Sequence, residues 1–254
     1  MNGKIHYLAH YLVNPSHNIT FSVIGAGGTG SKVLTSLARI NQALIGLGRD
    51  SIEVTVYDDD RVSEANIGRQ LFSPQDIGQY KGEVLTTRLN RFFGTDWIFR
   101  PIRYTEKNAT MTNIVISCVD TVKSRKEIYK TLKWKGHSSY RDYENFFYWL
   151  DFGNGRDYGQ AILGSKLMEQ PDSSFIPIKK LKNIFDIYPD LQDEEDDGPS
   201  CSMAEALQKQ DLFINSTLVE LGMGMLWKLL KDYHIDYQGI YLNLATMNMK
   251  KIQL

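Results

Sequence analysis

The densest run of chemically capable side chains is Asp58-Asp-Asp-Arg-Val-Ser-Glu-Ala-Asn-Ile-Gly-Arg-Gln70. Its Asn66 and Gln70 bring neutral donors and acceptors, and Arg69 brings a fixed fork of donors suited to phosphate oxygens. Lys81 lies eleven residues further on. Upstream, Gly25-Ala-Gly-Gly-Thr-Gly30 fits G-x-G-x-x-G through Gly25, Gly27 and Gly30, with Gly28 between them. Glycines there permit a tight turn and a close approach of backbone to phosphate. The helix they open presents free N–H groups and its positive dipole end to an anion. Alone, this turn says nucleotide or dinucleotide and no more. Two cations and several amides downstream of it suit a triphosphate better than a nicotinamide. No Walker lysine follows the glycines, which argues against a P-loop NTPase.

The elements that must hold these residues can be read from periodicity. Residues 19–24 form a short apolar strand that runs into the glycine turn. Val33, Leu34, Leu37, Ile40, Leu44 and Leu47 recur at helical spacing, so a long helix follows and fades near Gly46 and Gly48. Residues 52–57 are a second strand, and Asp58 at its end is the natural acceptor for ribose hydroxyls. Asp58 is further from the glycines than the usual ~20 residues, and the elongated helix absorbs the difference. Asp60 is either structural or an assistant at the site. Residues 80–93 read as a helix with Val84, Leu85 and Leu89 on one face. Residues 97–102 and 113–119 read as strands, the latter apolar enough to be buried on both sides of a parallel sheet. A helix over 122–132 and a strand over 146–152 follow, with 160–163 as that strand's pairing partner.

This alternation predicts an α/β, Rossmann-like fold: a mainly parallel sheet with helices on both faces and a C-terminal helix plus β-hairpin extension. Residues 1–163 form the nucleotide-binding core. Residues 164–254 supply a loop with an acidic run, a long helix and a closing hairpin that complete the same domain. The acidic run, residues 193–197, reads as a solvated loop, with a docking surface for a basic partner as the functional alternative. In the helical stretch 202–231, Leu212, Leu218, Leu221, Met225, Leu229 and Leu230 are expected in the core. Ile240, Leu242 and Leu244 mark the hairpin.

With 254 residues and a net charge of −1, the chain suits one large globular domain and argues against bulk nucleic-acid binding. No stretch is apolar enough to cross a bilayer, and residues 1–18 lack the apolar core of a signal peptide. Two cysteines, with no CxxC pair, argue against a disulfide framework and against structural zinc, and place the protein in a reducing cytosol. Cys118 falls in an apolar strand and reads as buried and inert. Cys201 precedes a helix, whose N-terminus would lower its thiol pKa, while the nearby acidic run would oppose that.

The run Asp58–Gln70 resembles the DxDxVxxSNLxRQ signature of the ThiF/MoeB family, whose members include the ubiquitin-activating enzymes. Gly78-Gln-Tyr-Lys81 resembles that family's G-x-x-K. Ser117-Cys-Val-Asp-Thr121, followed by Arg125, resembles its C-x-D-x-x-x-x-R. The resemblance runs from Ile19 to Arg125. The later stretch from Pro199, with Gln210-Asp-Leu-Phe-Ile-Asn215, resembles the ThiF-like proteins of PRTRC gene systems, which are paired with a ubiquitin-like protein. The resemblance implies ATP over Gly25, Gly27, Gly28 and Gly30, with Asp58 on its ribose and Asp60 alongside. It implies Asn66, Arg69 and Lys81 on the phosphates, Gln70 helping to position them, and Asp120 as a Mg²⁺ ligand. The implied reaction is adenylation of the C-terminal carboxylate of a ubiquitin-like β-grasp protein, with release of pyrophosphate. Acyl transfer to Cys201, passage to a conjugating-type acceptor protein and homodimerisation are implied in the same way.

Two departures stand out. The family's N-terminal RYxRQ-like arginine is missing, because no arginine precedes Arg39; Lys4, His6 and His10 are the substitutes on offer. The zinc cysteines of many relatives are missing too. Asp120 has a second reading, as the N-cap of the helix beginning near Val122. An NAD(P)-dependent oxidoreductase and a non-catalytic scaffold remain the competing functions.

Overall fold

The structure is a computed structural model, described over residues 3–68, 70–132, 145–193, 205 and 208–254. In chain order the elements are β1 (Lys4–Tyr7), α1 (His10–Val13), β2 (Thr20–Ile24), α2 (Gly28–Gly46), β3 (Glu53–Tyr57), α3 (Lys81–Phe93), β4 (Ile98–Arg100), β5 (Ile114–Ser117) and α4 (Val122–Thr131). They continue with β6 (Tyr148–Asn154), β7 (Tyr158–Ser165), β8 (Ile176–Pro177), α5 (Ile184–Ile187), α6 (Ile214–Asp232), β9 (His234–Ile235), β10 (Tyr237–Asn243) and β11 (Asn248–Gln253).

Eight strands form one sheet in the order β11-β10-β7-β6-β5-β2-β3-β4. The five from β6 to β4 are parallel. From β6 outward, β7, β10 and β11 add in antiparallel fashion. The chain leaves β2 for β3 and β4 on one side, then crosses back to β5 on the other. That reversal opens a crevice at the carboxyl ends of β2 and β5, where doubly wound sheets bind their ligands. The expected fold class is what the chain adopts.

Side-chain alternation assigns the two faces. Phe21, Val23, Val54, Val56, Ile114 and Ile116 pack with Val33, Leu34 and Leu37 of α2, Val84 and Leu85 of α3, and Leu218, Leu226 and Leu229 of α6. Tyr57, Val115, Trp149 and Ile162 point the other way, onto Ile128 of α4 and Ile184 of α5. Both faces of the parallel part are therefore dry, which is why its strands read as near-continuous apolar runs.

Two expectations need correction. Leu212 is 41% exposed, so it does not belong to the core. Helical residues Glu205, Gln208 and Lys209 do not run on into α6: a turn at 210–213 intervenes. The turn is fixed by Asp211, whose N–H donates to the Arg156 carbonyl at 2.7 Å and whose Oδ1 accepts from Phe213 N at 2.8 Å. Periodicity also missed β1, which pairs with β8 on one side and β9 on the other. A four-residue strand with a single clear alternation carries too little pattern to be seen.

Candidate nucleotide site

The glycine turn lies where β2 gives way to α2, and the glycines differ in what they do. Gly25 sits at φ +93°, and a Cβ on it would lie 2.7 Å from the Cys118 carbonyl oxygen. A Cβ on Gly30 would lie 1.9 Å from the Gly25 oxygen, so this glycine lets α2 start hard against the turn. A Cβ on Gly27 would meet nothing within 4 Å. Packing therefore does not require a glycine at 27, whereas a ligand approaching the backbone does. No side chain caps the first turn of α2, whose N–H groups remain available to an anion.

Asp58 is tied to that turn. Its Oδ2 accepts the Ala26 N–H at 2.6 Å and its Oδ1 accepts the Asp60 N–H at 2.9 Å. Burial is the main reason its pKa rises to about 6; the Ala26 N–H pulls the other way and the like charge of Asp60 adds to the rise. Asp60 also holds Lys81. The Lys81 N–H donates to the Asp60 carbonyl at 3.0 Å, and Lys81 Nζ pairs with Asp60 Oδ2 at 2.8 Å. Asp60 thus has a structural role: it places the ammonium at the first residue of α3. Val62 and Gln79 extend this two-stranded clamp, with Val62 N–H on the Gln79 carbonyl and Gly78 N–H on the Val62 carbonyl, each at 2.9 Å. Arg61 fastens it from outside by stacking 3.9 Å from the Tyr80 ring centroid and donating to the Gly78 carbonyl at 2.6 Å.

Asn66 is buried, and its Oδ1 accepts from Ser63 N at 2.9 Å and Ser63 Oγ at 3.1 Å. This capping box closes the short 3₁₀ turn Glu64–Asn66 and delivers Gln70 to the glycines. Gln70 is 8% exposed, its Oε1 has no hydrogen-bond partner, and its Cγ lies 4.0 Å from where a Gly28 side chain would begin. A buried amide oxygen left unpaired beside a phosphate-type turn is the sign of a polar ligand position.

Asp120 is exposed, two residues beyond the Cys118 carbonyl that touches Gly25. It does not cap α4; Thr121 does, its hydroxyl oxygen accepting Ser124 N–H at 3.2 Å. Asp193, the first residue of the acidic run, accepts from the backbone N–H of Val122 and Lys123 at the same helix end. Among the described residues no three His, Cys, Asp or Glu side chains converge. A single exposed carboxylate suits a hard cation such as Mg²⁺, which binds through one or two carboxylates and shares phosphate oxygens with its substrate.

Arg125 is not exposed to the crevice. Its Nε pairs with both oxygens of Asp151 at 3.1 Å, and its remaining nitrogens donate to the carbonyls of Phe152 at 2.8 Å and Asp120 at 3.5 Å. Ser117 Oγ donates to Asp151 and accepts from Trp149 Nε1 at 2.8 Å. This buried network fixes the loop that carries Asp120. Cys118 is partly covered just past the end of β5, and burial pushes its thiol pKa up, which keeps it a thiol. His6 is fully buried between the Ile178 carbonyl and the Tyr148 hydroxyl, and burial lowers its pKa to about 4. A neutral His6 cannot replace the family's missing arginine. Arg69 and Cys201 lie outside the described residues.

One contributor escaped the sequence reading. Thr29 Oγ1 donates to Asn215 Oδ1 at 2.9 Å, and a Cβ on Gly28 would lie 2.7 Å from Asn215 Nδ2. The start of α6 therefore sits against the start of α2. The four-glycine run was the available signal, since Gly28 is surplus to G-x-G-x-x-G. A cleft of about 390 Å³ that includes Tyr158, Tyr188, Tyr241 and Lys250 lies elsewhere, on the antiparallel extension. No helix among the described residues is long and apolar enough to cross a membrane.

Comparison with known proteins agrees with this geometry. Residues 16–136 match the ThiF family. The mouse (Mus musculus) ubiquitin-like modifier-activating enzyme 6 is 25% identical over 131 residues, which is 48% of this chain and 12% of that protein. Among solved structures, PaaA superposes with a TM-score of 0.59 at 11% identity, covering 92% of this chain and 64% of PaaA. E. coli MccB, solved with MccA, gives 0.57 at 15% identity, covering 93% and 64%. The chain thus spans about an eighth of the curated relative and less than two thirds of these structures. At these identities the structures speak for the fold, and the sequence match speaks for the lineage. Residues 16–136 are a ThiF-family domain.

Proposed function

We propose that the protein adenylates a peptide or protein C-terminal carboxylate with ATP, and that the carboxylate is that of a ubiquitin-like β-grasp partner. The observation that carries this reading is the junction of the open Gly27 turn, Asp58 and Lys81: a backbone anion cradle, a ribose acceptor and a phosphate cation in one hydrogen-bonded unit. MccB, whose fold the chain shares, has been crystallised with ATP and with MccA, which supports a nucleotide and a polypeptide substrate here.

On this reading Asp58 accepts the ribose hydroxyls, and the amides after Gly27 receive phosphate oxygens. Lys81, Asn66, Arg69 and Gln70 line the phosphate chain. Asp120 would hold Mg²⁺, which when bound neutralises phosphate charge. A carboxylate oxygen of the substrate attacks the α-phosphorus, the bond to the bridging oxygen breaks, and pyrophosphate leaves with the electron pair. The incoming carboxylate is already a nucleophile, so no general base is required. The protein holds two anions together and offsets their repulsion. Residues 164–254 complete the same domain, and onward acyl transfer to Cys201, homodimerisation and a place in a PRTRC-type system extend the reading.

ATP–pyrophosphate exchange in the presence of a β-grasp partner tests it. Exchange should depend on partner and fall at least a hundredfold in Arg69→Ala and Asp120→Ala. Unchanged exchange in both variants would overturn the site. A chain that quenches or enhances nicotinamide fluorescence but ignores ATP would be an oxidoreductase instead.

A further inference from the structure

We propose that Asn215 is a positioning residue of the phosphate cradle, fixing the Gly28–Thr29 side of the turn so that its amides present together to the β- and γ-phosphates. The inference rests on the nucleotide reading above and adds an element, α6, that the glycine motif does not contain.

Asn215 is 8% exposed, at a helix start where an apolar residue would pack as well: Ile214, Leu218 and Val219 around it are fully buried. A buried amide costs free energy unless its polar atoms are paired. Here they are. Oδ1 accepts the Thr29 hydroxyl at 2.9 Å, and Nδ2 donates to Gln210 Oε1 at 2.8 Å. The turn is shaped around this amide, since any side chain at position 28 would strike Nδ2 at 2.7 Å. Gln70 approaches the same glycine, and its buried Oε1 is unpaired. Two amides, one held at both ends by protein and one with an unpaired oxygen, therefore flank the first residue of α2. Neither α2 nor α6 has a side-chain cap, so two positively polarised helix ends meet there. Packing alone would not call for a tethered amide beside an unpaired one. Turned to present Nε2 instead of Oε1, the Gln70 amide can donate to a phosphate oxygen opposite the fixed Asn215.

The test is the affinity of the full chain for ATP and for AMP, by calorimetry, in wild type, Asn215→Ala and Asn215→Asp. In Asn215→Ala, ATP should weaken about tenfold, as for loss of one hydrogen-bonding partner, while AMP stays within twofold. In Asn215→Asp the acceptor for Thr29 survives, which protects the fold, but the added charge should weaken ATP further than alanine does. Thr29→Val combined with Asn215→Ala should weaken ATP no more than either change alone, because both act through one contact. Equal ATP affinity in wild type and Asn215→Ala, or a parallel loss of ATP and AMP, would sink the role of Asn215 and leave the nucleotide reading standing. A wild-type chain that binds no ATP would sink both.

Discussion

The Asp58 carboxylate holds the Ala26 N–H at 2.6 Å, so the end of β3 and the turn after β2 are joined by a group that itself titrates near neutrality. Burial is the chief cause of the rise to about 6. The sign follows directly. The folded pKa lies above the unfolded value of 3.8, so the native state binds more protons between them, and Asp58 lowers stability as pH rises from about 4 to 6. Ribose hydroxyls donate to the ionised form. ATP affinity should therefore drop about tenfold per pH unit below pH 6, with proton release on binding, and Asp58→Asn should abolish that slope. Calorimetry in buffers of different ionisation enthalpy reads both.

The glycines should separate by function. Gly27→Ala meets open space at an ordinary φ of −77°, so its thermal midpoint should match wild type while ATP affinity falls at least tenfold. Gly30→Ala drives a methyl into the Gly25 oxygen and should cost more than about 2 kcal/mol in urea unfolding. Equal behaviour of the two variants would contradict the assignment of Gly27 to the ligand.

Arg125 and Asp120, five residues apart, should fail in different ways. Arg125→Ala strands a carboxylate that is 1% exposed and should destabilise by about 3–5 kcal/mol. Asp120→Ala changes an exposed side chain and should shift stability by less than about 0.5 kcal/mol, while exchange collapses. Denaturant midpoints and exchange rates on the same preparations make the comparison.

His6 opposes Asp58 in its pH dependence. Its folded pKa of about 4 lies below the ordinary value of 6.5, because burial disfavours the charge. Below pH 6.5 the unfolded chain takes up a proton that the folded chain refuses until about pH 4. Stability should fall over that window by on the order of 3 kcal/mol. His6→Phe should flatten this acid limb in denaturation curves collected from pH 4 to 7, and the wild-type minus variant difference isolates it from Asp58.

Much of the fold was readable because its signals are local. The apolar run before Gly25, the 3.6-residue stripe of α2 and the acid at the end of β3 each lie within one element. The pairing of β6 with β7 and the closing hairpin were also legible; the antiparallel sense of that pairing was not. What escaped depends on distant partners. Arg125 reads as a motif arginine, and only the fold places Asp151 against it at 3.1 Å. His6 reads as an N-terminal cation until Tyr148 and Ile178 close over it. Leu212 fits the stripe of a helix, but the backbone tie of Asp211 to Arg156 breaks that helix and turns the leucine outward. Asn215 is 186 residues from Thr29, and nothing in the stretch that carries it signals that contact.

The long helix α6 is gripped at both extremities. Its first turn is held by Thr29, and its last by Arg49, which donates to the Leu230 carbonyl at 2.7 Å. Beyond it, the Tyr233 carbonyl accepts from Leu8 N at 2.8 Å, and β9 pairs with β1. Nineteen helical residues make a strut about 28 Å long. A strut fastened in this way cannot slide at one tip alone. Strand β1 and the glycine turn are therefore attached near opposite ends of one rigid helix.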